Sequence, residues 1–313
     1  MEAASETSFA EAICVPFLRN AQNADGGWGY HPKSESRVEP TCWALHALRG
    51  WSGETEALTR GFQYLRTAQL ADGSWPSTPA EKTGCWVTSL SCWVLAQAAD
   101  SSANVAAGLR WLCQDWPADT TPWRRFLAKF SSQRDVAPIN NAYRGWSWTP
   151  GTSSWVEPTS FALIALEQGT PQSFPAEAAK RRELGEGLLY DRMCPGGGWN
   201  CGNPLVYGVP GEPLVVPTMC ALLALRHQPS RRQNVMSLDW LESAVATIQS
   251  AGSLALAKIC IAAYGRDWPR NAPVFQALYE KSGFLDSVQV AAWTSLALAA
   301  GSDWLDPAGA KAI

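Results

Sequence analysis

The sequence predicts an all-α protein in which six inner helices form a closed ring inside six outer helices, an (α/α)6 toroid. Two observations predict it: one segment recurs along the 313 residues, and a nearly all-apolar stretch follows each copy. A helix that is apolar all round must be buried on all sides, whereas an amphipathic helix covers a core with one face. Pairs of these two helix types therefore indicate a double-layered ring. We expect residues 1–313 to form one toroid domain.

The recurring segment combines an aromatic-Leu pair with a later Gly-x-Trp. Its four copies occupy residues 17–28, 64–75, 108–148 and 187–199. The first two, FLRNAQNADGGW and YLRTAQLADGSW, also share a glutamine, Gln22 or Gln69. The third copy is degenerate, because an insertion displaces its Gly-x-Trp counterpart to residues 145–148.

Apolar stretches follow the repeats, and several begin with a helix-start signal. Three of them read EPTCWALHAL (39–48), EPTSFALIAL (157–166) and VPTMCALLAL (216–225). A proline in the first helical turn before an Ala/Leu-rich run indicates a helix N-terminus. The other apolar stretches occupy residues 84–98, 254–263 and 288–300, and amphipathic stretches at 236–249 and 273–281 precede the last two. These stretches supply the six helix pairs.

The longest irregular stretch is an insertion around residues 115–155, rich in Pro, Trp, Asn and Gly. A long loop in a compact domain is usually functional or disordered. The insertion is therefore expected to be either a flap over one end of the ring or a surface loop.

Composition limits the partners and the compartment. A net charge of −3, without a dense basic block, gives no support for nucleic-acid binding. Nine cysteines without a C-x-x-C pair favour a reducing, cytoplasmic setting. The N-terminus lacks the pattern of a signal peptide, and the apolar stretches are too short to span a bilayer. Peripheral membrane contact and a homodimer are both compatible with the sequence.

The chain contains seventeen tryptophans, an unusually high number. Such a number indicates either a repeated structural role or an aromatic-lined cavity.

Residues 60–75, RGFQYLRTAQLADGSW, match the QW motif, Arg/Lys-Gly-x2-aromatic-Leu-x3-Gln-x3-Gly-x-Trp. On this motif the chain resembles squalene-hopene and oxidosqualene cyclases. The alternation of QW segments with apolar helices looks like one toroid of the terpenoid-cyclase and protein-prenyltransferase superfamily. The resemblance implies that Gln22 and Gln69 bridge backbone groups at helix ends, beside Trp28 and Trp75. Those tryptophans are therefore expected to be structural.

The resemblance also implies where an acid would lie. In class II terpene cyclases, D-x-D-D followed by Thr and Ala opens an inner helix and protonates an alkene or epoxide. Here no D-x-D-D occurs, and V-E-P-T stands in its place twice, which makes Glu39 and Glu157 the candidate catalytic acids. Such an acid has to be buried and neutral. A helix N-terminus lowers the pKa of a carboxyl group, so either glutamate could instead stabilise its helix.

Aromatic side chains are the candidate substrate-binding residues, because ring faces stabilise a carbocation without reacting with it. They are Trp43, Trp86, Trp146, Trp148, Trp155, Phe161 and Trp293. The expected ligand is an apolar, isoprenoid-like small molecule. Core packing is the alternative role for each of these residues.

Metal chemistry is not expected. Protein prenyltransferases bind zinc through an Asp, a Cys and a His, but Thr83 occupies the place of the Asp near Cys85. None of the three histidines lies in that family's His-centred motif, and a catalytic zinc needs three protein ligands. The D-D-x-x-D/E motif of class I terpene synthases is also missing. The sequence predicts neither a metal nor another cofactor.

Three functions are compatible with these sequence features. The first is a terpene-cyclase-like enzyme that cyclises an isoprenoid or another apolar polyene by general-acid catalysis. The second is a toroid that binds an apolar ligand without converting it, or that acts as an accessory protein. The third is a carbohydrate-active α/α barrel with paired carboxylates, which the apolar inner helices disfavour.

Overall fold

The computed structural model describes residues 9–98, 101–115, 117–118, 139–169, 175–268, 270, 273–283, 285–299 and 305. Twelve α-helices within these residues alternate between an outer and an inner layer. The outer helices are α1 (Val15–Asn20, preceded by a π-helical segment Ala10–Cys14), α3 (Thr55–Ala68), α5 (Ser102–Gln114), α7 (Ala178–Asp191), α9 (Arg232–Val245) and α11 (Val274–Ser282). The inner helices are α2 (Val38–Leu48), α4 (Val87–Leu95), α6 (Val156–Glu167), α8 (Val215–Ala224), α10 (Ala251–Ala263) and α12 (Val288–Leu298).

The inner helices form a closed ring. Each packs against the next along the chain, and α12 packs against α2. At one end the Val288 amide donates to the Tyr30 carbonyl (2.9 Å), and at the other the Trp51 indole donates to Ser295 Oγ (3.0 Å). The prediction of an all-α double ring is confirmed. A small antiparallel hairpin, β1 (Leu205–Val206) and β2 (Val209–Pro210), lies between α7 and α8.

The motif tryptophans join four of the outer helices to the inner helices that follow them. The Trp75 amide donates to Thr88 Oγ1 (2.9 Å), and the Trp75 indole donates to the Leu65 carbonyl near the end of α3 (2.7 Å). The same pair of contacts recurs at Trp28 with Thr41 and Leu18, at Trp146 with Thr159 and Leu112, and at Trp199 with Thr218 and Leu189. All four indoles are at most 2% exposed. These geometries support the structural role.

The motif glutamines connect neighbouring outer helices. Gln69 Nε2 donates to the Gly73 carbonyl (2.8 Å) and to the Asn104 carbonyl in the first turn of α5 (3.0 Å). Gln22 makes the equivalent pair of bonds, to Gly26 and Ala57 (2.9 Å each). The groups that are bridged are therefore one carbonyl of the turn and one carbonyl of the next outer helix.

Glycine is required in this turn because the backbone is left-handed there and the next outer helix leaves no room for a side chain. Gly73 has a φ of +93°, in the left-handed region that favours glycine. A Cβ atom there would lie 2.7 Å from the Ala107 carbonyl oxygen, which is too close. The turn can therefore pass directly against α5, and this lets Gln69 reach both of its partners.

Within the predicted segment 145–148, the third repeat uses Trp146 as its motif tryptophan. Trp146 makes the threonine and leucine contacts of the motif, while Trp148 lies two residues further on. Of the insertion around 115–155, residues 116 and 119–138 lie outside the described residues. The flap, like the single-domain extent of 1–313, stays a prediction.

We expect Thr88→Val to lower the free energy of unfolding by about 1–3 kcal/mol, because the buried Trp75 amide would lose its acceptor. The substitution keeps the shape of the side chain. Chemical denaturation monitored by circular dichroism measures the effect. The control is Thr88→Ser, which keeps the hydroxyl and should cost less. An equal cost for both variants would contradict the role of this hydrogen bond.

Candidate active site at the mouth of the ring

The repeat brings the first residues of neighbouring inner helices together. In each QW turn, the carbonyl two residues after the motif tryptophan accepts a hydrogen bond from the start of the preceding inner helix in the ring. These bonds join Tyr30 to Val288 (2.9 Å), Ser77 to Val38 (3.1 Å), Trp148 to Trp86 (3.1 Å) and Cys201 to Val156 (3.5 Å). We call this end of the ring, where the inner helices begin, the mouth. Glu39, Trp86 and Glu157 all belong to it.

Glu39 lies in the first turn of α2 and is held by two side chains. The Tyr30 hydroxyl donates to one carboxylate oxygen (2.5 Å), and Gln289 Nε2 donates to the other (2.7 Å). Burial raises the pKa of Glu39, and the hydrogen bonds from Tyr30 and Gln289 act against this rise. Both oxygens therefore already have donors that favour the ionised form.

Glu157 occupies the equivalent position on α6, but its surroundings differ. Its side chain is buried, with 9% of the residue exposed, and Oε2 has no hydrogen-bond partner among the described residues. Burial raises the pKa of Glu157, and only its own backbone amide opposes the rise. An ionised carboxylate is costly in such a place, so the surroundings favour the neutral acid.

Burial outweighs the helix N-terminus at both glutamates. The helix N-terminus by itself would lower the pKa, yet the pKa of each carboxyl group is raised because packing removes it from water. Burial also raises the pKa of the Cys220 thiol on α8, and the charges of Glu157 and Glu39 raise it further.

An aromatic cluster fills the interior below the mouth. Trp43 on α2 makes edge-to-face contacts with Trp93, Phe161 and Trp293, with ring centroids 5.9, 6.1 and 5.8 Å apart. Phe161 also contacts Trp86 (5.5 Å). Trp43 is 3% exposed, so aromatic rings, rather than an open channel, occupy the centre around it.

A pocket of about 430 Å³ opens at the mouth beside this cluster. Trp86 and Trp148, in edge-to-face contact at 4.9 Å, form its aromatic wall. The other lining residues are Ser77, Glu81, Lys82, Thr83, Gly84, Cys85 and Thr149. The volume is within the range of small-molecule sites. Trp86 also contacts Phe161, so the pocket shares one wall residue with the aromatic interior.

The predicted aromatic residues fall into three groups. Trp86 and Trp148 line the pocket, and Trp43, Phe161 and Trp293 belong to the cluster. Trp146 lies in the wall between layers, with the Arg181 guanidinium 3.9 Å from its ring centroid. Trp155 precedes α6 at the mouth and is 37% exposed. These locations favour a structural role for Trp146 and place Trp155 at the rim of the mouth.

Four residues of this region were not among the residues predicted from the sequence: Tyr30, Gln289, Trp93 and His46. Gln289 comes from a distant part of the chain and is brought to Glu39 by ring closure, whereas Tyr30 lies in the first QW turn, shortly before Glu39. His46 follows Glu39 by seven residues and Trp43 by three, the spacing of one helix face. That periodicity could have identified His46.

The described residues contain neither a cluster of metal ligands nor a helix able to span a membrane. Among them, no three His, Cys, Asp or Glu side chains are grouped to hold a metal ion. Nor does any helix of the described part of the chain have the length and apolar character needed to cross a membrane. All nine cysteines are described, and all are free.

The N-terminal part of the chain is similar in sequence to a known family. Residues 2–88 match the family described as squalene-hopene cyclase C-terminal domain. Over 63 residues, 20% of this chain, the sequence is 41% identical to drimenyl diphosphate synthase of Streptantibioticus cattleyicolor. The match covers 12% of that relative, so the chain aligns with only a small part of its length.

Solved structures share the fold along most of the chain. The type II terpene cyclase MstE from Scytonema, in its apo form, matches with a TM-score of 0.56 at 14% identity, over 88% of this chain and 76% of its own. An MstE variant in complex with merosterolic acid A (product) matches with a TM-score of 0.59 at 14% identity, and the match covers 94% of this chain and 98% of the variant. A protein from Actinoplanes matches with a TM-score of 0.56 at 18% identity, and the match covers 89% of this chain and 79% of that protein.

The described residues form an α/α toroid whose inner helices carry acids and aromatic rings. Its fold is shared with the type II terpene cyclase MstE, and residues 2–88 match the squalene-hopene cyclase C-terminal domain family. The recognition made on the QW repeats is confirmed.

Proposed function

We propose that this protein is an acid-initiated cyclase of an isoprenoid or another apolar polyene, with Glu157 as the proton donor. The observation that carries the proposal is the buried Oε2 of Glu157, without a hydrogen-bond partner among the described residues, at the mouth of an aromatic interior. A carboxylic acid kept neutral by burial can transfer its proton to a carbon–carbon double bond or an epoxide. Glu39, whose two oxygens already accept hydrogen bonds, acts as a positioning and electrostatic group.

The aromatic residues suit the step that follows protonation. Each carbocation formed is attacked by the next double bond, so positive charge moves along the substrate. The faces of Trp43, Phe161 and Trp293 can stabilise that charge and offer no lone pair that would end the reaction early. In this proposal Trp86 and Trp148 receive the substrate, whose entry requires the cluster to rearrange around Trp43.

The relatives support the same chemistry. The MstE complexes contain geranylgeranyl dihydroxybenzoate as substrate and merosterolic acid A as product. The name of the Streptantibioticus relative gives drimenyl diphosphate as its product. An apolar, prenyl-type ligand is therefore the expected substrate class. Homodimer formation, peripheral membrane contact, a cytoplasmic location and independence of metals and other cofactors stay predictions.

Turnover in heavy water tests the proposal. The purified protein is incubated in D2O with farnesyl diphosphate, geranylgeranyl diphosphate or squalene, and products are analysed by mass spectrometry. We expect a cyclic product in which one deuterium replaces one hydrogen of the substrate. The initiating proton comes from a carboxyl group that exchanges with solvent, and the proton lost at the end comes from the substrate. Release of inorganic diphosphate before ring formation would contradict acid initiation.

The second candidate, a toroid that binds without converting its ligand, is favoured by the closely packed centre around Trp43. Saturable binding of the same three probes without any product would support it. Cello-oligosaccharides serve as the probe for the carbohydrate-active alternative. Their hydrolysis would contradict both apolar-ligand functions.

A further inference from the structure

His46 lies at the end of the aromatic cluster that is farther from the mouth. It is 1% exposed on α2, and its ring centroid lies 4.5 Å from that of Trp93 and 6.0 Å from that of Trp43. Glu39, Trp43 and His46 are spaced i, i+4, i+7 and share the inward face of the helix. Seven residues of helix place His46 about 10 Å below Glu39.

We propose that His46 is the base that ends the cyclisation, accepting the proton which the last carbocation loses. This inference rests on the proposed function. The C–H bond next to the cationic carbon breaks, its electron pair becomes the new double bond, and the proton goes to an imidazole nitrogen. One proton enters from Glu157 and one leaves to His46, so the reaction is an isomerisation without a further reactant.

The location of His46 fits this role better than that of a second acid. Charge moves away from the carbon that receives the proton, so the base belongs at a distance from Glu157, next to the rings that stabilise the cation. His46 contacts two of those rings, Trp43 and Trp93. The cluster residues Trp43, Phe161 and Trp293 cannot accept a proton under ordinary conditions.

The surroundings keep the imidazole able to accept a proton. Burial lowers the pKa of His46 to about 3, the charge of Arg49 lowers it as well, and a hydrogen bond with Gln97 acts in the opposite direction. The ring is therefore neutral at physiological pH, with a lone pair on one nitrogen. A carbocation is a far stronger acid than an imidazolium ion, so even this weak base suffices. Arg49 then favours release of the proton after each turnover.

Product analysis of two His46 variants tests the assignment. His46→Phe keeps an aromatic ring beside Trp93 but removes the base. We expect the wild-type alkene to fall at least about tenfold relative to other isomers and alcohols, while substrate consumption changes less. His46→Gln keeps a neutral acceptor and should retain the wild-type alkene. Unchanged products in both variants, or an equal change in both, would overturn the proposal.

A measurement on the unmodified protein covers the case in which the variants do not fold. Protonated decahydroisoquinoline has an N–H⁺ group in place of the cationic carbon of a bicyclic intermediate. Its binding should shift the ¹⁵N resonance of His46 and leave His31 and His227 unchanged. A bound probe without that shift counts against His46 as the base. If the wild type forms no cyclic product, the proposed function fails; if it does and the His46 results are negative, this inference alone fails.

Discussion

Glu157→Gln is expected to lower kcat for cyclisation by about 10²–10⁴-fold, the usual contribution of a general acid. The amide has nearly the same shape as the carboxyl group but cannot donate a proton of comparable acidity. Substrate binding should remain, because the aromatic residues are unchanged. Steady-state kinetics with the substrate identified by the D2O experiment measures both quantities.

Glu39→Gln is the matched control, since Glu39 lies in the same V-E-P-T motif at the equivalent helix position. Its carboxylate is held by Tyr30 and Gln289 rather than left unpaired. The variant should therefore lose less activity than Glu157→Gln. The reverse order would assign the proton donor to Glu39 and contradict our choice.

The pH dependence provides a separate check on Glu157. A general acid must be protonated, so kcat should fall as the pH rises through the raised pKa of Glu157.

The same raised pKa affects stability. In the unfolded chain the carboxyl group of residue 157 ionises at a lower pH than in the folded protein, so wild-type stability falls as the pH rises from the unfolded-state pKa to the folded-state pKa. Glu157→Gln avoids this loss and should unfold at higher denaturant concentration at pH 7. Loss of activity with such a gain in stability cannot result from misfolding.

Trp75→Ala is expected to lower the free energy of unfolding by about 3–5 kcal/mol, as other large-to-small aromatic changes in cores do. Trp75 is fully buried, and its amide and indole nitrogens join Leu65 of α3 to Thr88 of α4. The substitution leaves a cavity between the two layers and removes the donor to the Leu65 carbonyl. Denaturant titration followed by circular dichroism measures the loss.

The control for this prediction is Trp155→Ala, which removes an indole that is 37% exposed at the rim. It should cost clearly less than Trp75→Ala, because Trp155 is already partly in contact with solvent and its indole does not make the motif hydrogen bonds. Comparable losses in the two variants would mean that the motif contacts of Trp75 do not determine its contribution. An unchanged unfolding midpoint for Trp75→Ala would contradict its structural role altogether.

The amino-acid sequence by itself determined the architecture. Four QW segments and six apolar stretches predicted the number, order and layer of the helices, because burial on all sides and burial on one side leave different periodic patterns. The same patterns placed Glu39 and Glu157 at the starts of inner helices. Periodicity is a local property, so it can be read without knowing which helices meet.

The arrangement of the site was decided by the tertiary structure. Gln289 reaches Glu39 because α12 closes on α2, Tyr30 reaches it from the first QW turn, and nothing comparable reaches Oε2 of Glu157 among the described residues. Two identical V-E-P-T motifs therefore acquire different hydrogen bonding, and burial reverses the expected effect of the helix N-terminus on both pKa values. Hydrogen bonding and desolvation depend on residues far apart in the chain, and a motif read on its own does not contain them.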